Sequence, residues 1–183
     1  MLNLEIPNRY LCISSRLVTW KRVERSIKAL AIMQSTEIKP VLIIVGDGPR
    51  KNFLEELAKE LGVQVIFTGH VSQEISYNVI YNCTAFLSFY DLSNLGNPLL
   101  EALNCHKPIV TIGNGDTRKV IKDGENGLII NYWSAENAAL KISEIWKNEK
   151  LRTKLINGAK EYSSSNLYSW PNRLLKEEKF ILG

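Results

Sequence analysis

The sequence predicts an α/β domain built on a doubly wound, Rossmann-like parallel sheet of about six strands. Three observations carry that expectation. Short apolar runs recur along the chain, segments of helical period separate them, and polar or glycine-bearing loops follow the strands. Strands are expected at 9–15, 40–46, 63–69, 84–89, 108–113 and 128–131. Most are continuous apolar runs rather than strict alternations, as suits strands with helices over both faces.

The intervening segments have a helical period. In 20–34, Trp20, Val23, Ile27, Leu30 and Ala31 form one apolar stripe, with Arg22, Arg25 and Lys28 off it. In 49–61, Phe53, Leu54, Leu57, Ala58 and Leu61 form a second. There Gly48 is placed as N-cap, Pro49 as first residue and Gly62 as stop. Further helices are expected at 73–81, 98–104, 135–147, 151–162 and 170–181.

Composition bounds the rest. The chain has 183 residues, 45% hydrophobic and 23% charged, which fits a soluble globular domain and excludes low-complexity or fibrous classes. The longest apolar runs, such as Val41 to Val45, are far shorter than the roughly 20 residues of a membrane span. The first residues show no basic-then-apolar leader. Twenty-three basic against 19 acidic residues give +4, too small an excess to argue for a nucleic-acid partner. Cys12, Cys83 and Cys105 lie in apolar surroundings without CxxC spacing, so buried thiols in a reducing, cytoplasmic compartment are expected.

In open α/β sheets, ligands bind beyond the carboxyl ends of the strands where strand order reverses. The loops there carry Ser15-Arg16, Gly46-Asp47-Gly48-Pro49, Gly69-His70-Val71, Asp91 to Gly96, and Gly113-Asn114-Gly115-Asp116. With an order resembling 3-2-1-4-5-6, the loops after the first and fourth strands flank the switch point. The two GxG starts lack a third glycine and no GxxxxGK[ST] occurs, so neither a dinucleotide fingerprint nor a P-loop is supported. His70 and His106 are the only histidines. No ligand cluster surrounds them and no GxSxG elbow or Ser/His/Asp set exists, so no metal is expected.

Anion binding is the remaining theme. Lys21 and Arg22 are placed near the start of the first helix, where cations oppose the dipole unless an anion stands in front. Arg16 points to the same place. Asn97 as N-cap and Pro98 as first residue would leave first-turn amides on the binding edge, with Gly96 allowing close approach. Glu101, one turn in, leans toward that site. Phosphate on amides and a diol on a carboxylate suit a nucleotide.

These residues resemble a known pattern. ISSRLVTWKRVERSIKAL, LIIVGDGP, VIFTGHV, YNCTAFLSFYDLSNLGNPLLEAL, KPIVTIGNG and VIKDGENGLII follow one another, at similar spacing, as in the C-terminal donor-binding half of family-4 glycosyltransferases of the GT-B fold. The resemblance runs from about Tyr10 to Trp170. It implies that Arg16 and Lys21 are the catalytic cations that neutralise the donor diphosphate, and that Glu101 holds the ribose. It further implies that Gly46, His70 and Val71 line the base, and that the stretch including Leu95, Gly96 and Asn97 borders the donor.

The sequence departs from the pattern at three points. Ser93 stands where the first acid of a pair belongs, so either Asp91 substitutes for it or Ser93 and Asn94 meet the sugar as neutral groups. Arg22 replaces the glycine after Lys21, and His106 the glycine before Lys107.

The resemblance thus implies residues 1–183 as one nucleotide-sugar-binding domain, with the helices from about 151 packed on it and an N-terminal acceptor domain lacking. The implied activity is retaining hexosyl transfer to a glycan, lipid or other acceptor, as in polysaccharide or glycolipid synthesis, with no cofactor or metal. The expected location is the cytoplasm, with the inner face of a membrane open to the full enzyme. A GT-B nucleotide-sugar epimerase and a non-catalytic nucleotide-sugar module are the alternatives.

Overall fold

A computed structural model describes residues 6–92 and 95–167. The sheet comprises β1 (Tyr10–Ser14), β2 (Val41–Val45), β3 (Val65–Gly69), β4 (Ala85–Ser88), β5 (Ile109–Ile112) and β6 (Gly127–Ile130). Every pairing is parallel and the order is β3-β2-β1-β4-β5-β6, with β1 central between β2 and β4. This is the expected Rossmann-like arrangement, with its switch point between β1 and β4. Strands β1, β2, β4, β5 and β6 are buried almost throughout, whereas β3, an edge strand, is half-buried along its length.

The helices are α1 (Glu24–Met33), α2 (Lys51–Glu60), α3 (Gln73–Asn82), α4 (Asn97–Asn104), α5 (Thr117–Val120), α6 (Ala135–Lys147) and α7 (Glu149–Asn166). Successive strand residues face opposite ways, and the core divides accordingly. Leu11, Ile13, Leu42, Ile44, Leu87 and Val110 pack beneath α1, α2 and α6, against Ile27, Leu30, Leu54 and Ile142. Tyr10, Cys12, Ile43, Phe86 and Ile109 pack beneath α3, α4 and α7, against Val79, Ile80, Leu99, Leu103 and Ala159. The three cysteines are free, buried thiols in this second layer, and burial pushes Cys12 well above the ordinary thiol range. Helix α7 begins at an Asn148 cap, whose Oδ1 accepts from the Leu151 amide at 3.0 Å, and packs on α4 and α6.

Four helix starts differ from expectation, that of α7 by two residues, since it begins at Glu149 and not at Leu151. The stretch from 20 is not continuous helix: a 3-10 turn, Thr19–Lys21, ends at Arg22 in a left-handed conformation, and α1 starts at Glu24. Lys21 and Arg22 therefore precede the helix, and Glu24 supplies the acid that its first turn favours. Helix α2 starts at Lys51 because Gly48 to Arg50 form a turn tied to the β1 loop, with the Arg50 amide donating to Leu17 O at 3.1 Å. Gly96, not Asn97, caps α4. The short α5 was not expected, and the helix expected at 170–181 lies outside the described residues.

Candidate functional site

The carboxyl ends of β1, β2 and β3 and the first turn of α4 enclose a cleft of about 670 Å³. Its walls include Ser14 to Arg16, Gly46 and Asp47, His70 and Val71, and Pro98 and Glu101. Backbone bonds stitch three of its loops together. The Ser15 amide donates to Val45 O and the Leu17 amide to Asp47 O, both at 2.9 Å, and the Gly46 amide donates to Gly69 O at 3.0 Å. The fit is close enough to require glycine. At Gly46 φ is 131°, and a Cβ there would lie 2.0 Å from the Ser15 carbonyl oxygen. Of the expected site residues, Arg16, Gly46, His70, Val71 and Glu101 thus share one cleft.

Burial in the cleft raises the Glu101 carboxyl above its ordinary range. The cause is desolvation, which penalises the charged form until a donor compensates it. Arg16 is exposed on the β1 side. At the start of α4, Pro98 lacks an N–H, and the Leu99 and Leu100 amides both donate to Gly96 O, at 3.0 and 3.2 Å. The Gly96 and Asn97 amides have no protein partner among the described residues. The anion-binding capacity of this turn is accordingly narrower than a run of free first-turn amides. Leu95 is partly buried and packs on the second core layer. Ser93 and Asn94 lie outside the described residues.

Lys21 takes an unexpected seat. Its Nζ lies 4.3 Å from the Trp20 ring centroid and 3.9 Å from that of Tyr90, whose rings meet edge to face at 6.4 Å. Desolvation lowers the ammonium pKa, while the ring quadrupoles attract the cation. Tyr90 is itself buried, and its hydroxyl donates to Ser14 O at 3.3 Å.

Around this seat runs an ion network that joins residues far apart in the sequence. Asp91 is bound by Arg22 Nε on one carboxylate oxygen and by Arg25 Nη2 on the other, the latter at 2.7 Å. Arg25 Nη1 donates to Phe89 O at 2.8 Å, and Asn114 Nδ2 donates to Tyr90 O at 2.9 Å and to Asp91 O at 3.2 Å. Buried Glu24 approaches Arg22 at 3.6 Å and Arg50 at 3.8 Å. The loops after β1 and β4, one on each side of the switch point, are therefore fastened directly to each other. Among the described residues no three His, Cys, Asp or Glu side chains gather as a metal site, and no helix is long and apolar enough to cross a membrane.

A parallel Rossmann-like sheet whose switch-point cleft brings a cationic loop residue near a partly buried, helix-borne carboxylate has the ligand-binding architecture of a doubly wound domain of the GT-B kind. Residues 3–162 match the family described as glycosyl transferases group 1, and the chain belongs to that family. An uncharacterized glycosyltransferase of Methanocaldococcus jannaschii is 32% identical over 174 residues, covering 93% of this chain and 44% of that protein. The lipopolysaccharide core biosynthesis glycosyltransferase LpsE of Rhizobium meliloti is 32% identical over 116 residues, or 62% of this chain and 34% of its own length. The chain spans less than half the length of these two relatives. Among solved structures, WaaG, a glycosyltransferase of lipopolysaccharide biosynthesis, superposes with TM-score 0.77 at 26% identity, covering 91% of this chain and 46% of that one. HepE of Anabaena, solved with UDP and glucose, gives TM-score 0.82 at 20% identity, covering 96% and 49%. The second likeness concerns the fold.

Proposed function

We propose that this chain is the donor-binding half of a retaining hexosyltransferase that uses a nucleoside-diphosphate sugar and delivers the hexosyl group to a glycan or lipid acceptor held by a second domain. The observation that carries the proposal is the single cleft in which Arg16 and Glu101 both stand. Named relatives support the chemistry: HepE was solved with UDP and glucose, and an alpha-monoglucosyldiacylglycerol synthase of Streptococcus pneumoniae is 30% identical over 147 residues.

As the glycosidic C–O bond breaks, negative charge grows on the departing diphosphate. Preorganised cations and amides stabilise that charge without reorganising. We assign this role to Arg16, Lys21 and the Gly96 and Asn97 amides, which leaves no step that calls for a metal ion. Glu101, short of a donor in the free protein, accepts from the ribose hydroxyls. His70 and Val71 border the base. The domain alone binds donor but transfers no sugar, since a facing acceptor supplies a proximity contribution of about 7–11 kcal/mol.

Calorimetry with UDP, GDP and pyrophosphate tests the assignment. Glu101→Gln is expected to weaken the bound nucleotide by about 1.5–3 kcal/mol, the worth of a hydrogen bond to a charged group, and to leave pyrophosphate unchanged. Equal losses would refute the ribose contact, and absence of any nucleoside-diphosphate binding would refute the donor site. Ser93, standing where the resemblance calls for an acid, favours a second reading: a nucleotide-sugar-binding module without transfer. Product formation by the protein with its second domain separates the two.

A further inference from the structure

We propose that Asp91 is a positioning residue, a latch that fastens the segment after β1 to the segment after β4 and so fixes where the Lys21 ammonium stands. The donor reading enters only in what Lys21 then does; the latch itself is a matter of this chain's own contacts.

Asp91 holds the β1 segment at three points. Its amide donates to Trp20 O at 3.2 Å, Arg22 Nε binds one carboxylate oxygen, and Arg25 Nη2 binds the other at 2.7 Å. Lys21 lies between the first two of these anchors, so its backbone is tethered through both neighbours. The surface on which it rests is fixed by the same strap. Tyr90 adjoins Asp91, its carbonyl is held by Asn114 Nδ2 at 2.9 Å, and Arg25 Nη1 secures Phe89 O at 2.8 Å.

Arg22 explains why a side-chain latch is needed. It closes the 3-10 turn in a left-handed conformation, φ 46° and ψ 40°, with its amide donating to Thr19 O at 3.2 Å. A residue with a Cβ leaves that conformation unless something holds it. The Asp91 carboxylate holds it through the guanidinium, with Glu24 at 3.6 Å as a weaker second grip.

Both Asp91 oxygens are engaged by guanidinium groups of the β1 segment and its helix. Its contacts are those of a brace within the protein. Removing the carboxylate frees Arg22 to relax, opens the turn and lifts Lys21 from the Trp20 and Tyr90 rings.

Two measurements on the 183-residue chain test this. The first needs no ligand: the rate at which an amine-reactive acylating reagent modifies Lys21, read by peptide mass spectrometry, with Lys51 as internal reference. Asp91→Ala is expected to raise the Lys21 rate several-fold relative to Lys51, and Asp91→Glu to restore much of the protection. If Asp91→Ala fails to fold, Asp91→Asn, which keeps the volume, takes its place. An unchanged Lys21 rate in a folded variant overturns the proposal.

The second is a double-mutant cycle on UDP and GDP affinity. Asp91→Ala should weaken whichever diphosphate binds about tenfold in the native background and less than twofold when Lys21 is already alanine, the non-additivity of residues acting through one another. Equal losses in both backgrounds overturn the latch. So does a loss confined to the nucleotide sugar with the bare diphosphate unaffected, because Asp91 would then touch the sugar. If the wild-type chain binds neither diphosphate, the donor reading fails and the labelling rates alone decide for or against the latch.

Discussion

Arg22, on the loop after β1, and His106, just beyond α4, take nearly the same left-handed backbone angle, φ 46° and φ 56°, at opposite edges of the sheet. Each replaces a glycine expected from the family pattern. Their surroundings differ in kind. Arg22 is bound by Asp91 and approached by Glu24. His106 completes an ordinary helix end: its amide donates to Leu103 O and that of Lys107 to Ala102 O, both at 2.9 Å, the pattern in which glycine is the usual residue. Burial lowers the pKa of its ring, and the nearby charges, Lys160 and Lys107, share one sign and lower it further. The same strain is compensated by opposite charges at the ligand edge and left uncompensated at the other. The difference separates a conformation held for a purpose from one merely tolerated.

The comparison can be broken from its extreme. Gly46 occupies φ 131°, where a Cβ would meet the Ser15 carbonyl oxygen at 2.0 Å, so no side chain can be accommodated by local charge. Gly46→Ala should cost about 3 kcal/mol or more by urea denaturation, the sum of backbone strain and overpacking. A loss no larger than that of an ordinary surface change would show that these loops yield.

Next come the two replacements by glycine. Arg22→Gly accepts the turn but leaves Asp91 no side chain to hold at that position. Nucleoside-diphosphate binding should therefore weaken up to about tenfold while thermal stability hardly moves, because relief of strain offsets lost ion pairs. His106→Gly should do the reverse. Binding stays as it was, and stability rises by about 0.5–1 kcal/mol, the left-handed penalty less the extra entropy of an unfolded glycine. For a domain of this size that is roughly 1–4 °C in Tm. Interchanged outcomes would dissolve the distinction.

The smallest effect is in pH. The folded His106 pKa lies below its ordinary 6.5, so the neutral ring is the form the fold favours. Its contribution is fully present above about 6.5 and is lost as pH falls toward the depressed folded value. The stability gap between His106→Gly and the parent chain should therefore widen on acidification. A gap that stays constant with pH would mean that neither burial nor the two lysines disfavour the charged ring.

The strands and the binding edge were legible because they follow from patterns that sequence displays directly, whereas the strand order was supposed from the doubly wound class and only the structure supplies it. Continuous apolar runs such as that at β2 and the polar loops after the strands place the cleft, and Arg16, Gly46, His70, Val71 and Glu101 do meet there. The start of α1 was not legible. Trp20 and Val23 fit the helical stripe, but the turn at Arg22 is held by a partner 69 residues away, and periodicity contains no such term. Lys21 was placed against a helix dipole, whereas two aromatic rings receive it. A tyrosine directly before an acid at the end of β4, opposite three cations between 21 and 25, was the available clue. It is a pairing across the fold, and one sequence read alone does not supply such pairings.

The position of β1 also orders the chain in time. Leu11 pairs with Leu42 on one side and with Ala85 on the other. A chain emerging from the ribosome can therefore assemble β1, β2 and β3 while the second edge of the central strand is still bare. That edge, in the apolar stretch Tyr10–Ser14, stays open to the wrong neighbour until β4 arrives, which makes the interval the aggregation-exposed one. Helix α4, which carries Glu101, follows β4. The cleft is therefore incomplete during the vulnerable interval, and a molecule that binds there cannot shield that edge.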